Sequence, residues 1–132
     1  MTRYLTLEDV LTHHAERIGS DLVRDPGQVA STLARPAAGF GETEFYPTVA
    51  EKAAALLHGF ATTQSFVDGN KRMAVYAAGT FLLINGYRLT LSDLDMYELA
   101  MAAADGDWDV QKIAEVLQQG MIEMDLRLDD LK

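Results

Sequence analysis

The residues best suited to binding an anion lie together in one short stretch near the middle of the chain. Asp68-Gly69-Asn70 is a typical turn and helix start, and Gly69 can adopt the positive φ that such turns need. If a helix begins near Asn70, its first backbone N–H groups and the positive end of its dipole face this loop. Lys71 and Arg72 add two positive charges there, although the chain carries a net charge of −9. The stretch therefore predicts a phosphate-binding loop, and the alternative interpretation is an ordinary charged surface turn.

Two apolar helices must hold this loop. Before it, Thr48 and Glu51 have the spacing of a capping box and begin an apolar helical pattern that lasts to about residue 62. After it, the segment 73–87 carries no charge and contains Asn85-Gly86, which is typical of a helix end. An uncharged helix is normally buried, so we expect the helix over about 70–85 to be the central one on which the others pack.

The rest of the pattern predicts further helices. Their boundaries are marked by the pair Thr6 and Asp9, the pair Ser92 and Asp95, Asp109 as a cap, and Pro36 as a helix end. After Gly120, the stretch 121–132 is acidic and amphipathic, which predicts a final helix that packs on the core or self-associates, or a flexible acidic tail. The length fits a single domain over residues 1–132. The expected fold class is all-α, a compact bundle of about six helices.

Residues 37–47 interrupt the helical pattern with two Gly, two acidic residues and the aromatics Phe40, Phe45 and Tyr46. From composition alone, this segment is a surface loop held down by its aromatic side chains.

Composition excludes several classes of function. The net charge of −9 argues against a nucleic-acid partner, because the phosphate backbone requires a basic surface. The chain has no Cys, so it has no disulfide, thiolate metal site or thiol nucleophile. No signal-peptide pattern and no segment long enough to span a membrane is present, and together these features fit a cytoplasmic protein. His13 and His14 lack a second pair of metal ligands at suitable spacing, so we expect them to be structural or solvent-facing.

The loop resembles the signature of a known superfamily. The segment Phe66–Arg72 is similar to the core of the Fic/Doc signature in the form found in Doc-type death-on-curing toxins, which reads His-x-Phe-x-Asp/Asn-Gly/Ala-Asn-Lys-Arg. The similarity extends over nearly the whole chain, through Arg24-Asp25, Leu33–Pro36, Phe40-Gly41, Tyr46-Pro47, Glu51–Leu57, Phe81-Leu82 and Asn85–Tyr87. It implies the same all-α fold, with residues 37–47 as a short flap that holds a target peptide.

The resemblance also implies a reaction. Doc-type members phosphorylate a protein hydroxyl, with elongation factor Tu as the family's known target. Adenylyl transfer is less favoured, because the Fic-type members that perform it usually have Gly where this chain has Lys71. The implied cofactors are ATP, or another nucleoside triphosphate, and Mg²⁺.

The matching positions imply individual roles and a partner. Asp68 would help to hold the metal, Phe66 would anchor the loop in the core, and Gly69, Asn70, Lys71 and Arg72 would hold phosphates. The family also implies a small antitoxin whose disordered tail folds on binding. The acidic surface of this chain suits a tail rich in Lys and Arg.

One departure concerns catalysis. Gln64 stands where the signature has its His, Thr63 and Ser65 replace the usual Asn and Pro, and Met73 stands where Thr is common. A Gln amide cannot act as general base near neutral pH. His58 lies six residues upstream, so it could replace the missing His only if the loop followed a different path.

The departure has three explanations. The protein is a catalytically dead binding module, it is a scaffold reused for another reaction, or it is an engineered inactive form of an active toxin. The changes on both sides of position 64 favour natural divergence, because an engineered knockout normally alters one residue.

Overall fold

Short-range side-chain caps decide where most of the helices begin. The computed structural model describes residues 1–19 and 23–124, and five of the six helices in these ranges start at a side chain that accepts a hydrogen bond from the helix backbone. The caps are Thr6, Asp25, Thr48, Ser92 and Asp109. The helices are α1 (Leu7–Arg17), α2 (Pro26–Ala34), α3 (Val49–Thr62), α4 (Asn70–Ile84), α5 (Asp93–Ala104) and α6 (Val110–Gly120). The all-α prediction of about six helices is confirmed.

Two small antiparallel sheets accompany the helices. Strands β1 (Gly39–Phe40) and β2 (Thr43–Glu44) form a hairpin in which Gly39 pairs with Glu44, and Gly41 takes a φ of +63° in its turn. The hairpin lies within residues 37–47, the segment for which the resemblance implies a flap. The second sheet pairs β3 (Tyr87–Leu89) with β4 (Met121–Glu123).

The second sheet corrects one expectation. The stretch after Gly120 was expected to be helical, but residues 121–123 are extended. The chain leaves α6 in extended conformation at Met121, and backbone bonds from Thr90 to Gly120 and from Met124 to Gly86 continue the pairing on both sides of the sheet. The rest of the predicted tail, residues 125–132, lies outside the described residues.

Helix α2 ends at Ala34 with Arg35 as its C-cap, so the α-helix stops before Pro36 as predicted. A 3₁₀ turn over Arg35–Ala37 follows α2 directly and contains Pro36. Proline is tolerated at the first turn of a helical segment because the N–H that it lacks would have no partner there.

The core lies between α3 and its neighbours. Helix α3 packs against α4, α5 and α6, and ten of its fourteen residues are buried. Helix α4 contributes six buried residues, but Val75, Tyr76, Gly79 and Thr80 are only half-buried and Leu83 is exposed. The central helix is therefore α3 and not α4 as expected, and α4, which carries no charge after Arg72, leaves one apolar face open. No helix among the described residues is long and apolar enough to cross a membrane.

Two glycines inside helices give a matched test of this packing. A Cβ on Gly59 would come within 2.6 Å of Thr32 Cγ2 and 2.8 Å of an Arg35 guanidinium nitrogen, whereas a Cβ on Gly79 would meet nothing within 4 Å. We expect Gly59→Ala to lower the free energy of unfolding by about 1–3 kcal/mol through overpacking. Gly79→Ala should raise it by up to about 1 kcal/mol, because Ala loses less backbone entropy in a helix. Urea unfolding measures both, and equal effects at the two positions would contradict the close contact of α2 with α3.

Candidate functional site

The loop between α3 and α4 is closed by a side chain from the start of α4. The Asn70 amide oxygen accepts a hydrogen bond from the Phe66 N–H at 3.1 Å, and its amide nitrogen donates to the Phe66 carbonyl at 2.9 Å. One side chain thus satisfies both backbone groups of a residue four positions earlier. The amide fixes the path of residues 66–70 as a tight turn.

The floor of the loop is apolar and comes from α1. Phe66 is completely buried, and its ring stacks on the ring of His14 at a centroid distance of 4.1 Å. His14 is also fully buried, and its Nε2 lies 3.2 Å from the Asp68 carbonyl oxygen. Gly69 has a φ of +83°, and a Cβ there would lie 2.5 Å from Ile18 Cδ1. The loop therefore rests directly on α1, and both the backbone conformation and the space require Gly at position 69.

The loop is held from the side as well. Ser65 is buried, and its carbonyl oxygen accepts from the N–H groups of Arg24 and Asp25 at 2.9 and 3.0 Å. Val23 pairs with Phe66 in an isolated bridge. The start of the loop is thus tied by backbone hydrogen bonds to the segment that leads into α2.

Helix α4 is the one described helix that begins without a side-chain cap. Its N-cap is Gly69, and its first helical hydrogen bond runs from the Met73 N–H to the Gly69 carbonyl at 2.9 Å. Asp68 does not serve as a cap, since its carboxylate accepts from the Gly69 N–H at 2.8 Å. The N–H groups of Asn70, Lys71 and Arg72 find no acceptor within residues 1–19 and 23–124. Open N–H groups at the positive end of a helix dipole are suited to bind an anion.

A cleft of about 470 Å³ opens over this helix start. It is lined by Gln64 and by the whole run Asp68–Arg72. Tyr97 and Asp105, from the α5 region, line it as well. Six of the seven predicted site residues therefore line one cleft: Gln64, Asp68, Gly69, Asn70, Lys71 and Arg72. The seventh, Phe66, lies beneath the loop as its buried anchor.

Arg72 and Asp68 both line the cleft and form an exposed ion pair. An Arg72 guanidinium nitrogen lies 3.5 Å from Asp68 Oδ2, and both side chains are more than half exposed. An exposed pair of this kind contributes only about 0.2–1 kcal/mol. Arg72 can therefore turn to a stronger anionic partner, and Asp68 can turn to a cation, at little cost.

Asn70 has a more specific role in the structure than the sequence indicates. The motif alone places it among the phosphate-binding residues, but both ends of its side chain are engaged by Phe66. What Asn70 offers to the cleft is its backbone N–H.

Gln64 is exposed at the edge of the cleft. Its side chain forms no hydrogen bond with any residue that the structure describes. It has an amide that can donate and accept hydrogen bonds, but it cannot take a proton.

None of the three histidines lines the cleft. His14 lies under the loop, and His13 packs on Tyr76 at a centroid distance of 3.5 Å. His58 is half-buried, and desolvation, followed by the nearby Arg35 charge, lowers its pKa below the usual value. The loop path needed for His58 to replace a base at position 64 is not the one that the chain takes.

Sequence reasoning missed Tyr97 and Asp105. Neither belongs to a local motif, and both reach the cleft only because the bundle brings the α5 region beside the start of α4. In the described residues, no group of three or more acidic or His side chains forms a ready-made metal site. A divalent cation here would need oxygen ligands from a bound phosphate in addition to Asp68, as is usual for Mg²⁺.

Comparisons with known proteins agree with this geometry. A model of the Fic/DOC family matches residues 4–82, a range that includes the entire loop. The chain is also 45% identical over 120 residues to the toxin Doc of Mycolicibacterium smegmatis, and the alignment covers 89% of this chain and 92% of that protein.

Proposed function

The chain belongs to the Fic/DOC family, and from that we propose that it is a Doc-like, toxin-type protein which binds the phosphates of a nucleoside triphosphate at the loop 66–72. The observation that carries the proposal is the uncapped start of α4 inside a cleft that also holds Lys71 and Arg72. Local positive charge at this point contrasts with a net charge of −9 for the chain. That contrast favours an anionic ligand of limited size over an extended polyanion.

The residues present fit such a ligand. The backbone N–H groups of the first turn of α4 and the side chains of Lys71 and Arg72 would bind phosphate oxygens. Asp68, an exposed carboxylate at the same place, would bind Mg²⁺. When bound, ATP would supply the phosphoryl group for transfer to a hydroxyl of a target protein, with an elongation factor Tu-like protein as the proposed target. Such a target would place the activity in the cytoplasm.

Proton removal from the target hydroxyl is the step for which the predicted site residues supply no base, since Asp68 is assigned to the metal. Gln64 occupies the position at the cleft edge where the family resemblance implies the general base, and an amide cannot accept that proton. Loss of a general base lowers the rate by about 10²–10⁴, which is less than a whole enzymatic enhancement. We therefore propose a weak or inactive phosphotransferase. The second candidate is a binding module on the same scaffold, which the missing base favours.

Nucleotide binding can be tested apart from catalysis. Titration calorimetry with ATP and GTP, each with and without Mg²⁺, should show binding at the loop. Lys71→Ala and Arg72→Ala should each weaken it about tenfold to a hundredfold, since each removes a hydrogen bond from a charged group. Lys112→Ala is the matched control, because Lys112 is on α6, outside the cleft, and its ammonium group lies over the Trp108 ring. Binding that is absent at millimolar nucleotide, or indifferent to both loop substitutions, would contradict the proposal.

The second prediction separates an enzyme from a binding module. Gln64→His should produce measurable transfer of labelled phosphate to elongation factor Tu, and growth arrest on induction. An exposed position without side-chain hydrogen bonds accepts the imidazole at a cost to stability within about 0.5 kcal/mol. Gln64→His combined with Lys71→Ala is the control, and it should remain inactive because the phosphates are no longer held.

A triple variant guards against misplacement of the new imidazole. Thr63→Asn, Gln64→His and Ser65→Pro together restore the signature sequence. The Ser65 N–H, which proline lacks, donates to no described residue. The Ser65 carbonyl, which accepts from Arg24 and Asp25, remains after the change to proline. If the single and triple variants are folded, bind nucleotide and still transfer nothing, the missing base is not the cause of inactivity, and the binding-module function leads.

We also propose a protein partner, an antitoxin with a basic tail that folds on binding, and the open face of α4 is the groove that suits it. Three adjoining depressions lie along this face, and Tyr76 lines all of them. Arg72 and Tyr97 line one of these depressions and also line the cleft. The floor is apolar at Val75 and Leu83. Its walls are acidic, with three carboxylates of α1 on one side and one of α5 on the other: Glu8, Asp9, Glu16 and Asp93. An amphipathic helix with Lys and Arg beside its apolar stripe complements this groove.

Co-purification and thermal stability test both the partner and the groove. The product of the gene beside that of this chain should co-purify with it at low salt and raise its melting temperature, and 0.5 M salt should weaken the complex by screening. Gly79→Arg should weaken it at least about tenfold, because Gly79 lies on the open face with room around its Cα and the new side chain obstructs the groove. Gln118→Arg, on exposed α6 surface, is the matched control. No co-purification and no stabilisation would refute the partner, while equal binding by Gly79→Arg would refute the groove.

A further inference from the structure

Lys52 is a buried cation in the first turn of the otherwise apolar buried side of α3. Its exposed fraction is 2%, and it is the largest of the fully buried side chains in the described residues. Lysine is almost never fully buried unless it is paired, since removing an ammonium group from water is costly. A residue of this kind on α3, among Ala and Leu side chains, requires a reason.

The contacts of Lys52 all lead to one segment. Its ammonium group donates to Glu44 Oε1 at 3.0 Å and to the Tyr46 carbonyl oxygen. Glu44 ends strand β2, and Tyr46 lies two residues further on. We call residues 39–46, which contain β1, β2 and this exit, the flap hairpin.

The flap hairpin has little else to hold it to the body. All four of its strand residues are exposed, Phe40 is 83% exposed and Phe45 is 58% exposed. Its other side-chain tie in the described residues is a long contact of 3.5 Å between the Tyr46 hydroxyl and an Arg35 guanidinium nitrogen. Hydrophobic burial therefore contributes little to the position of the hairpin, and the bonds from Lys52 are its principal attachment.

Packing alone does not explain a lysine at this position. A Met side chain would fill nearly the same volume without the cost of burying an ammonium group. What Met could not do is hold Glu44 and the Tyr46 carbonyl in one place. Burying the ammonium group costs desolvation free energy, and its two hydrogen bonds hold the hairpin in a defined geometry.

We propose that Lys52 is a positioning residue which fixes the flap hairpin relative to the phosphate loop. Helix α3 carries Lys52 near its start and leads at its other end into the loop, so one helix connects the two. The consequence for acceptor recognition rests on the proposed function, in which the hairpin with its exposed Phe40 and Phe45 holds the target protein. The attachment itself does not depend on that function.

Limited digestion with chymotrypsin tests the attachment directly. Phe40 and Phe45 are exposed cleavage sites, whereas Phe60, Phe66 and Phe81 are completely buried and report global unfolding. Lys52→Met should speed cleavage after Phe40 and Phe45 at least about tenfold, because proteolysis follows the population of locally open states, with no faster cleavage at the buried sites. Lys112→Met is the matched control, since this lysine has no contact with the hairpin, and it should leave all rates unchanged.

A second variant leaves the core untouched. Glu44 is half exposed, so Glu44→Ala removes one partner of the ammonium group without changing buried volume. It should speed hairpin cleavage several-fold, less than Lys52→Met does, because the bond to the Tyr46 carbonyl remains. If folded Lys52→Met is cleaved at the original rate, or if Lys52→Met fails to fold and Glu44→Ala is cleaved at the original rate, the proposal is wrong.

The functional consequence is read in a Gln64→His background with elongation factor Tu as the acceptor probe. Adding Lys52→Met should raise KM for the acceptor at least about tenfold and leave kcat and nucleotide affinity unchanged, as expected when only acceptor binding is lost. An unchanged KM with a released hairpin would overturn the role in acceptor recognition. If the Gln64→His protein itself transfers nothing, the proposed function fails, while the chymotrypsin rates still decide whether Lys52 positions the hairpin.

Discussion

The two hydrogen bonds between the Asn70 side chain and the Phe66 backbone determine how this site is built. Asn is among the residues that usually cap a helix, and here it stands at the first position of α4. Its side chain turns back to the loop and cannot cover the helix end. The loop thus gains a fixed shape, and the helix start keeps its open N–H groups. Closing the loop and exposing the anion site are results of the same interaction.

The elements beneath the loop constrain its backbone, whereas the charged side chains above it are accessible. Under the loop, Phe66 stacks on His14 and Gly69 lies against Ile18, so neither the ring nor the backbone can move without disturbing α1. Above it, Lys71 and Arg72 are accessible, and the Arg72–Asp68 pair is weak enough to be exchanged. A constrained backbone with accessible cations beside it is suited to an anionic ligand, because the preorganised groups would bind without reorganisation.

Whether a feature could be predicted from the sequence depends on how far apart along the chain the interacting residues are. The caps at Thr6, Thr48, Ser92 and Asp109 act within three residues, and the predicted helix starts are correct there. The loop residues are contiguous, so their shared cleft could be predicted as well. The pairing of β4 with β3 spans more than thirty residues, and the contact of His14 with Asp68 spans fifty-four, so no local pattern encodes either. The same holds for Tyr97 and Asp105, and for Lys52, whose burial depends on where the hairpin returns.

Position 64 differs in what constrains it from the residues that shape the loop. Phe66, Gly69 and Asn70 are each required by packing, by a positive φ or by two hydrogen bonds, so a change at any of them disturbs the loop. Gln64 is exposed and makes no hydrogen bond to a described residue, so the fold exerts no preference for its side chain. A replacement there alters the chemistry available at the cleft and leaves the loop intact. In the proposed function, anion binding and proton transfer are therefore physically separable.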